Sequence, residues 1–191
     1  NLFIFNDHIK NKNIPIVISE LPDYYSKLDL IHTSNNKIII GIIGVISQLK
    51  GSIILEEIVQ YYKSNNLVEI IVFGKCQIEN INNHLYYNVG ELNELLIKYK
   101  PNILIELSVW TETYSYTLTL GMITDLPIIY LKKTSYTVVE ARLKNYPKAY
   151  SFETLEQFDN LIKLYKQNYF YTIKPVIYFN DFWNEYFIIK N

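Results

Sequence analysis

The sequence predicts an α/β protein built on a Rossmann-like, doubly wound parallel sheet. One observation is a series of short runs that are mostly apolar, such as the β-branched residues 37–43 and residues 103–107, which are typical of strands buried on both faces. The other is an amphipathic helical pattern between such runs, as in residues 92–99, where apolar side chains recur at i, i+3, i+4 and i+7. This alternation favours parallel strands joined by right-handed crossovers, which bring the loops that follow the strands to one edge.

The individual elements follow in order from Lys37 onward. Strands are predicted at residues 37–43, 67–73, 85–88, 103–107, 127–131 and 149–152. Helices are predicted at residues 49–64, 92–99, 115–124 and 138–143, and a last one follows residue 154. Thr154 and Gln157 fit a capping box, in which a threonine at the N-cap and a glutamine three residues later begin a helix.

The composition suggests three parts of the chain. Residues 1–36 lack clear periodicity and are expected to be a linker or the tail of a preceding domain. Residues 37–167 hold the predicted sheet domain. Residues 168–191 are rich in Tyr, Phe and Trp and are expected to form an aromatic C-terminal helix that packs on a neighbouring domain. Because the first residue is Asn1, we expect the sequence to be cut from a longer protein.

Charge and cysteine content exclude several classes of function. The 191 residues carry 18 basic and 19 acidic side chains, without the basic footprint of a nucleic-acid binder. A single cysteine, Cys76, excludes an internal disulfide. No apolar run reaches the roughly 18 residues of a membrane span, so no transmembrane segment and a cytoplasmic location are expected. The three histidines have no metal-ligand spacing, and no metal site is predicted.

Four loops are expected to meet at the carboxyl edge of the sheet. They carry Lys50, residues 73–75, residues 87–90 and Glu112. Glu112 lies on a strand-to-helix turn, where backbone N–H groups and a helix dipole would suit a phosphorylated sugar. Lys50 is open to two interpretations, a solvated turn lysine or a phosphate ligand. Trp110 is interpreted first as a packing residue of this turn, with sugar stacking as the alternative.

Two of these stretches resemble a known family. Residues 37–51, with the pattern Gly44-x-x-Ser-x-x-Lys50-Gly51, are similar to the opening of family-4 glycosyltransferases. Residues 101–119, with Ser108-x-x-x-Glu112, resemble that family's Ser-x-x-x-Glu turn. Within them, Trp110-Thr-Glu-Thr-Tyr-Ser-Tyr-Thr-Leu118 is similar to a subgroup with Trp-Pro-Glu-Thr-Tyr-Ser-Tyr-Thr-Leu. The resemblance covers roughly residues 37–162. It implies the C-terminal, donor-binding half of a retaining GT-B glycosyltransferase, whose acceptor-binding domain would precede this chain.

The resemblance also implies roles for individual residues. Glu112 would be the catalytic residue that faces the donor sugar, and Val89 would lie near the nucleotide base. The implied ligands of the donor phosphates are Lys50, Gly44, Ser115, Tyr116 and Thr117. The implied substrate is a nucleotide-diphosphate sugar, transferred with retention at the anomeric carbon. No cofactor or metal is implied, because GT-B enzymes stabilise the departing diphosphate with protein groups.

The chain departs from the family pattern at several positions. The second motif glutamate, which usually holds the ribose, is replaced by Leu120, and Thr119 or Thr124 is the polar residue that could take over that contact. The single arginine, Arg142, is interpreted either as a phosphate ligand or as the partner of Glu140 in a surface salt bridge. These departures leave two alternatives open. One is a degenerate, non-catalytic glycosyltransferase-like scaffold or binding module, and the other is a different doubly wound enzyme such as a sugar-nucleotide epimerase.

Overall fold

Six strands form one fully parallel sheet in the computed structural model, which describes residues 37–110, 115–132, 137–143 and 146–167. The strands are β1 (Ile38–Val45), β2 (Val68–Lys75), β3 (Asn82–His84), β4 (Ile103–Glu106), β5 (Ile128–Leu131) and β6 (Ala149–Phe152). Their order across the sheet is β3-β2-β1-β4-β5-β6, and every neighbouring pair is parallel. This is the strand order of a Rossmann fold, so the predicted fold class is confirmed.

Five helices cover the two faces of this sheet. They are α1 (Ser52–Tyr62), α2 (Val89–Tyr99), α3 (Tyr116–Ile123), α4 (Val138–Leu143) and α5 (Leu155–Lys166). Helices α1 and α5 pack into one hydrophobic cluster with one side of β1. Helices α2, α3 and α4 contribute to a second cluster on the other side. None of the helices in the described ranges is long and apolar enough to cross a bilayer.

The centre of the sheet explains why β1 lacks polar side chains. Ile40 and Ile42 are 0% and 3% exposed, because α1 and α5 cover the face on which they lie. Ile43 belongs to the cluster on the opposite face. Full burial of one such side chain stabilises the fold by roughly 1.5–3 kcal/mol. The continuous apolar run is therefore required by burial on both faces.

The third strand differs from the prediction. Residues 85–88 are not a strand, and β3 lies at Asn82–His84 instead, paired with residues 71–73 of β2. Asn88 is the N-cap of α2, and its side chain accepts a hydrogen bond from the N–H of Glu91. Asn is an unfavourable strand residue but a favourable helix cap. The Asn88–Glu91 spacing was therefore a helix signal, which the apolar residues before it obscured.

The start of the first helix also differs. Residues 48–50 form a 3₁₀ turn, and α1 begins only at Ser52. Gly51 separates the two with φ of 80°, in the left-handed region that favours glycine. A Cβ atom at this position would lie 2.2 Å from the carbonyl oxygen of Leu107. Gly51 therefore interrupts the helix and allows the chain to pass close to the backbone that follows β4.

The remaining predicted elements agree with the structure within a few residues. Thr154 caps α5 by accepting from the N–H of Gln157, as predicted. The glutamine side chain accepts in return from the N–H of Glu153, one residue before the expected donor. The aromatic C-terminal helix and the linker over residues 1–36 fall outside the described residues. The division of the chain into three parts stays a prediction.

Candidate functional site

The crevice between β1 and β4 is the point where the chain reverses its direction of winding. From β1 the chain passes through α1 to β2, on one side, and from β4 it passes through α3 to β5, on the other. The loops that follow β1 and β4 therefore diverge at the carboxyl edge and leave a space between them. In open α/β sheets this is the usual place for a ligand.

A backbone hydrogen bond joins these two loops. The N–H of Val109 donates to the carbonyl of Leu49 at 2.9 Å. Leu49 is the neighbour of Lys50 in the 3₁₀ turn, and Val109 is the neighbour of Trp110 in the stretch that leads toward Glu112. Together with the close approach of Gly51 to Leu107, this bond fixes the Lys50 turn against the loop that follows β4.

The end of β1 also lies against the start of α3. Gly44 has φ of 115°, and a Cβ built there would lie 2.7 Å from Cγ2 of Thr117. Because Gly44 has no side chain, the first turn of α3 can pack directly against the end of β1. Gly44 itself is buried under this contact. Its predicted contact with a donor phosphate stays a prediction, whereas its packing role follows from the geometry.

The start of α3 is capped by its own sequence. Ser115 is the N-cap, and its hydroxyl accepts from the N–H of Leu118 at 3.4 Å and lies 3.2 Å from the hydroxyl of Thr117. Ser115 is only 1% exposed, so its side chain serves the helix. Tyr116 is 65% exposed. A phosphate at this end would be bound by backbone N–H groups, as the sequence predicts for residues 115–117, rather than by the serine hydroxyl.

The two residues central to the prediction are described unequally. Lys50 is half-buried in the 3₁₀ turn at this edge. Glu112 lies outside the described residues, between Trp110 and Ser115. The structure therefore brings together Lys50, Gly44, the start of α3 and both stretches that flank Glu112. The position of the Glu112 carboxylate, and its catalytic role, stay predictions.

Arg142 is the clearest difference at this edge. Its side chain is only 5% exposed, so it is not a surface residue. Glu140, the predicted partner, instead bonds to Thr137 at the start of α4. The Arg142 guanidinium donates from Nη1 to the carbonyl of Ser115 and from Nη2 to the hydroxyl of Thr119, each at 2.6 Å. The surface salt bridge with Glu140 was therefore wrong. No periodic pattern predicts this burial, because α4 is only six residues long.

The two residues at the expected ribose contact, Thr119 and Leu120, make contacts within the protein. Thr119 is 1% exposed, and its hydroxyl accepts from Arg142. A ribose contact by Thr119 stays a prediction, and it would require this side chain to leave Arg142. Leu120 is partly buried against the cluster formed by α2, α3 and α4. The position of the second motif glutamate is thus used for core packing.

The loop after β3 holds the residue predicted to lie near the base. Val89 is the first residue of α2 and is partly buried. Tyr87 precedes it and is 87% exposed, while its N–H donates to the carboxylate of Glu91. β3 is an edge strand, separated from β1 by β2. Proximity of Val89 to a base stays a prediction.

Several apolar side chains on the joined loops face solvent. They are all more than half exposed and comprise Val45, Leu49, Trp110 and Tyr116. Among them, sequence reasoning singled out Trp110 and also Tyr116, the latter as an implied phosphate ligand. Glu106, at the end of β4, accepts a hydrogen bond from the N–H of Ser108 and so shapes the same loop.

One large cavity in the described part of the chain lies away from this site. No group of three or more His, Cys, Asp or Glu side chains with metal-binding geometry occurs within the described ranges. His84 stacks on Tyr99 with ring centroids 4.3 Å apart. A cavity of about 550 Å³ lies at the opposite, amino edge of β1 and β2. Its lining includes Lys37 and Glu69, which form a 2.7 Å ion pair.

Comparison with known proteins finds similarity in structure but not in sequence. No protein-family model matches the chain, and no curated protein sequence matches it. TarM superposes with a TM-score of 0.55 at 14% identity, over 87% of this chain and 35% of TarM. HepE from Anabaena, solved in complex with UDP-glucose, gives 0.54 at 11% identity, over 71% of this chain and 41% of HepE. The C-terminal domain of LpcC, a glycosyl transferase group 1 family protein from Francisella tularensis, gives 0.48 at 17% identity, over 70% of this chain and 77% of that domain.

At these identities the likeness shows the fold. The chain shares its Rossmann-like parallel sheet with GT-B glycosyltransferases, as the resemblance of the two sequence stretches implied. It spans little more than a third of TarM and about two fifths of HepE. The family-4 subgroup stays a prediction.

Proposed function

We propose that this chain is the donor-binding half of a retaining glycosyltransferase that takes a sugar from a nucleotide-diphosphate sugar. The observation that carries the proposal is the hydrogen bond between Val109 and Leu49. It joins the Lys50 turn to the loop that leads through Glu112 to α3. The carboxyl edge of the sheet therefore carries Lys50, the N-terminus of α3 and the backbone on both sides of Glu112. A lysine and a helix N-terminus at such an edge suit a sugar diphosphate.

The chemistry follows from the charge that develops on the leaving group. When the bond between the sugar and the diphosphate breaks, negative charge accumulates on the phosphate oxygens. The Lys50 ammonium and the N–H groups at the start of α3 would stabilise that charge without a metal or cofactor. Glu112 would face the donor sugar.

Two further observations support the proposal. The fold is that of GT-B glycosyltransferases, and HepE was solved with UDP-glucose. The chain spans less than half of TarM and HepE, which fits a single half of a two-half enzyme. The acceptor-binding half and a cytoplasmic location belong to the proposal.

Calorimetric titration of the chain with UDP, GDP, ADP and their sugar conjugates tests donor binding. We expect saturable binding of at least one of these in the millimolar range or tighter. Lys50→Ala should weaken it about 10- to 100-fold, because a charge-assisted hydrogen bond contributes roughly 1.5–3 kcal/mol. The matched control is Lys63→Ala, which removes an exposed lysine from the end of α1, at the amino edge of the sheet.

Equal losses in the two lysine variants would show that net charge, and not the Lys50 turn, attracts the nucleotide. That result would contradict the proposed site even if the fold is correct.

A non-catalytic scaffold is the second candidate, and one observation favours it. Leu120 packs against the cluster formed by α2, α3 and α4, and Thr119 bonds to Arg142, so neither residue offers a ready acceptor to a ribose. The scaffold predicts no binding of any nucleotide in the same titration. If a nucleotide does bind, sugar transfer by a protein that carries both halves, with and without Glu112→Gln, distinguishes an active enzyme from a binding module.

A further inference from the structure

Arg142 connects α4 to the start of α3 through a two-point contact. Nη1 donates to the carbonyl of Ser115 and Nη2 to the hydroxyl of Thr119, which lie one helical turn apart. All three residues are at most 5% exposed. The carbonyl of Ser115 also accepts a hydrogen bond from the N–H of Thr119, so the guanidinium binds both ends of the first hydrogen-bonded turn of the helix.

The chemistry of the guanidinium makes this contact more than packing. Its planar fork fixes the direction of two acceptors at once, which a lysine ammonium cannot do. It also carries a permanent positive charge. A positive charge beside a helix N-terminus opposes the helix dipole, so a carboxylate would be the favourable residue for helix stability alone. The charge of Arg142 would therefore add to the attraction of an anion bound in front of the helix.

We propose that Arg142 is a positioning residue for the donor diphosphate. It sets the orientation of the first turn of α3, whose N–H groups would hold the phosphates, and it adds positive charge behind that turn. This inference rests on the proposed function and extends it to a residue on α4, which need not touch the substrate. The chain has no other arginine, so no second guanidinium can replace it.

The test compares a nucleotide with its nucleoside, because only the phosphates should depend on Arg142. We would titrate UDP and uridine by NMR into the wild-type chain, Arg142→Met, Arg142→Lys and Thr119→Val, replacing the uracil pair by the guanine or adenine pair if that nucleotide binds more tightly. Loss of a charge-assisted contribution of this kind should weaken UDP about tenfold or more in Arg142→Met and leave uridine within about twofold.

The other variants separate charge from geometry. Arg142→Lys keeps the charge without the fork and should give a smaller UDP loss, of about three- to tenfold. Thr119→Val keeps the charge and the Ser115 contact and should give the smallest loss. Lys166→Met, on the exposed end of α5, is the control for a lost positive charge and should leave the UDP-to-uridine ratio unchanged.

Two results would overturn the inference. Proportional weakening of UDP and uridine would mean that Arg142 only stabilises the fold, and unchanged UDP affinity in both arginine variants would mean that it does not act on the phosphates. If Arg142→Met does not fold, the ratio of UDP to uridine affinity in Arg142→Lys and Thr119→Val still tests the inference. Failure of the wild-type chain to bind any nucleotide would instead refute the proposed function, and this inference with it.

Discussion

Two buried polar contacts on opposite faces of the sheet use charge in opposite ways. Where α1 packs on α5, the carboxylate of Asp159 is buried and accepts from the Tyr62 hydroxyl at 2.7 Å. Its cationic partner, Lys163, lies 2.6 Å away with a largely exposed side chain. Where α4 packs on α3, the buried group is the cation, Arg142, and it donates to a carbonyl and a hydroxyl on the first turn of a helix.

The difference indicates what each contact is for. The contact between α1 and α5 joins two helices away from the loops after β1 and β4, and its charges compensate each other across a single turn of α5. The contact between α4 and α3 acts on the helix start that lies against β1 and the Lys50 turn. We therefore expect the first to govern stability and the second, with the loops around it, to govern ligand binding.

The largest effect should come from disturbing the junction of the loops at Gly51. Alanine there would have to adopt φ of 80° and would place its Cβ 2.2 Å from the Leu107 carbonyl oxygen. A left-handed conformation costs about 1–2 kcal/mol and overpacking about 1–3 kcal/mol, so Gly51→Ala should lower the free energy of unfolding by about 3 kcal/mol. Urea denaturation measures this loss.

Gly90→Ala is the matched control for Gly51. Gly90 lies in the first turn of α2 without a positive φ, and a Cβ there would meet only the Asn88 side chain at 3.1 Å. Alanine gains helix propensity of up to about 1 kcal/mol, so its effect should stay within about 1 kcal/mol in either direction. Equal effects at the two glycines would contradict the tight junction.

A smaller loss is expected from Tyr62→Phe on the other face. It removes the hydroxyl that donates to Asp159 and leaves the ring in place, so the free energy of unfolding should fall by about 2 kcal/mol, as for a hydrogen bond to a charged group. Tyr87→Phe is the control, because that side chain is exposed. Nucleotide affinity should be unchanged in Tyr62→Phe, and a change would mean that the two faces are coupled.

The same contact predicts a dependence on acid. Burial alone raises the pKa of Asp159, but hydrogen bonds from Lys163 and Tyr62 outweigh it and hold the pKa below its ordinary value of 3.8. The folded state then binds the proton less readily than the unfolded state. The stabilisation is therefore present above about pH 4 and is lost as the pH falls through the folded pKa. Asp159→Asn should flatten this part of a stability profile measured between pH 6 and pH 2, and an unaltered slope would contradict the assignment.

The smallest effect should come from removing a ribose hydroxyl from the ligand. Leu120 packs against the cluster of α2, α3 and α4, and Thr119 bonds to Arg142, so neither residue offers a charged acceptor to that hydroxyl. We therefore expect UDP and 2′-deoxy-UDP to bind with affinities within about twofold. Competition titration measures the ratio. A preference for UDP of tenfold or more would mean that another side chain holds the ribose or that Thr119 is released on binding.

The sheet could be predicted because burial on both faces requires continuous apolar runs. Residues 37–43 and 103–107 are apolar except for Lys37, Gly41 and Glu106, so their strands follow from the pattern. That the two strands are neighbours is seen only in the structure. The prediction failed at β3, where Asn82–His84 pair along an edge with little burial to demand a hydrophobic pattern. The helix cap at Asn88 was the better signal.

The candidate site could be predicted only in outline. That Lys50 and the start of α3 share an edge follows from strand order. The contacts that fix them do not, because they involve backbone groups of Leu49, Leu107 and Val109, whose side chains carry no distinguishing chemistry. The burial of Arg142 depends on how α4 packs against α3. Its partners Ser115 and Thr119 lie 27 and 23 positions earlier in the sequence, so this tertiary contact leaves no local pattern.

Amide chemical-shift mapping of the isotope-labelled chain during titration with UDP, GDP and ADP tests the central claim most directly. If the loops that follow β1 and β4 form one diphosphate site, the largest shifts will fall on residues 44–51 and 107–119, with the amide of Glu112 among them. Saturable shifts confined to the amino edge, around residues 60–70 and 79–82, would contradict the account, and so would the absence of any shift with all three nucleotides.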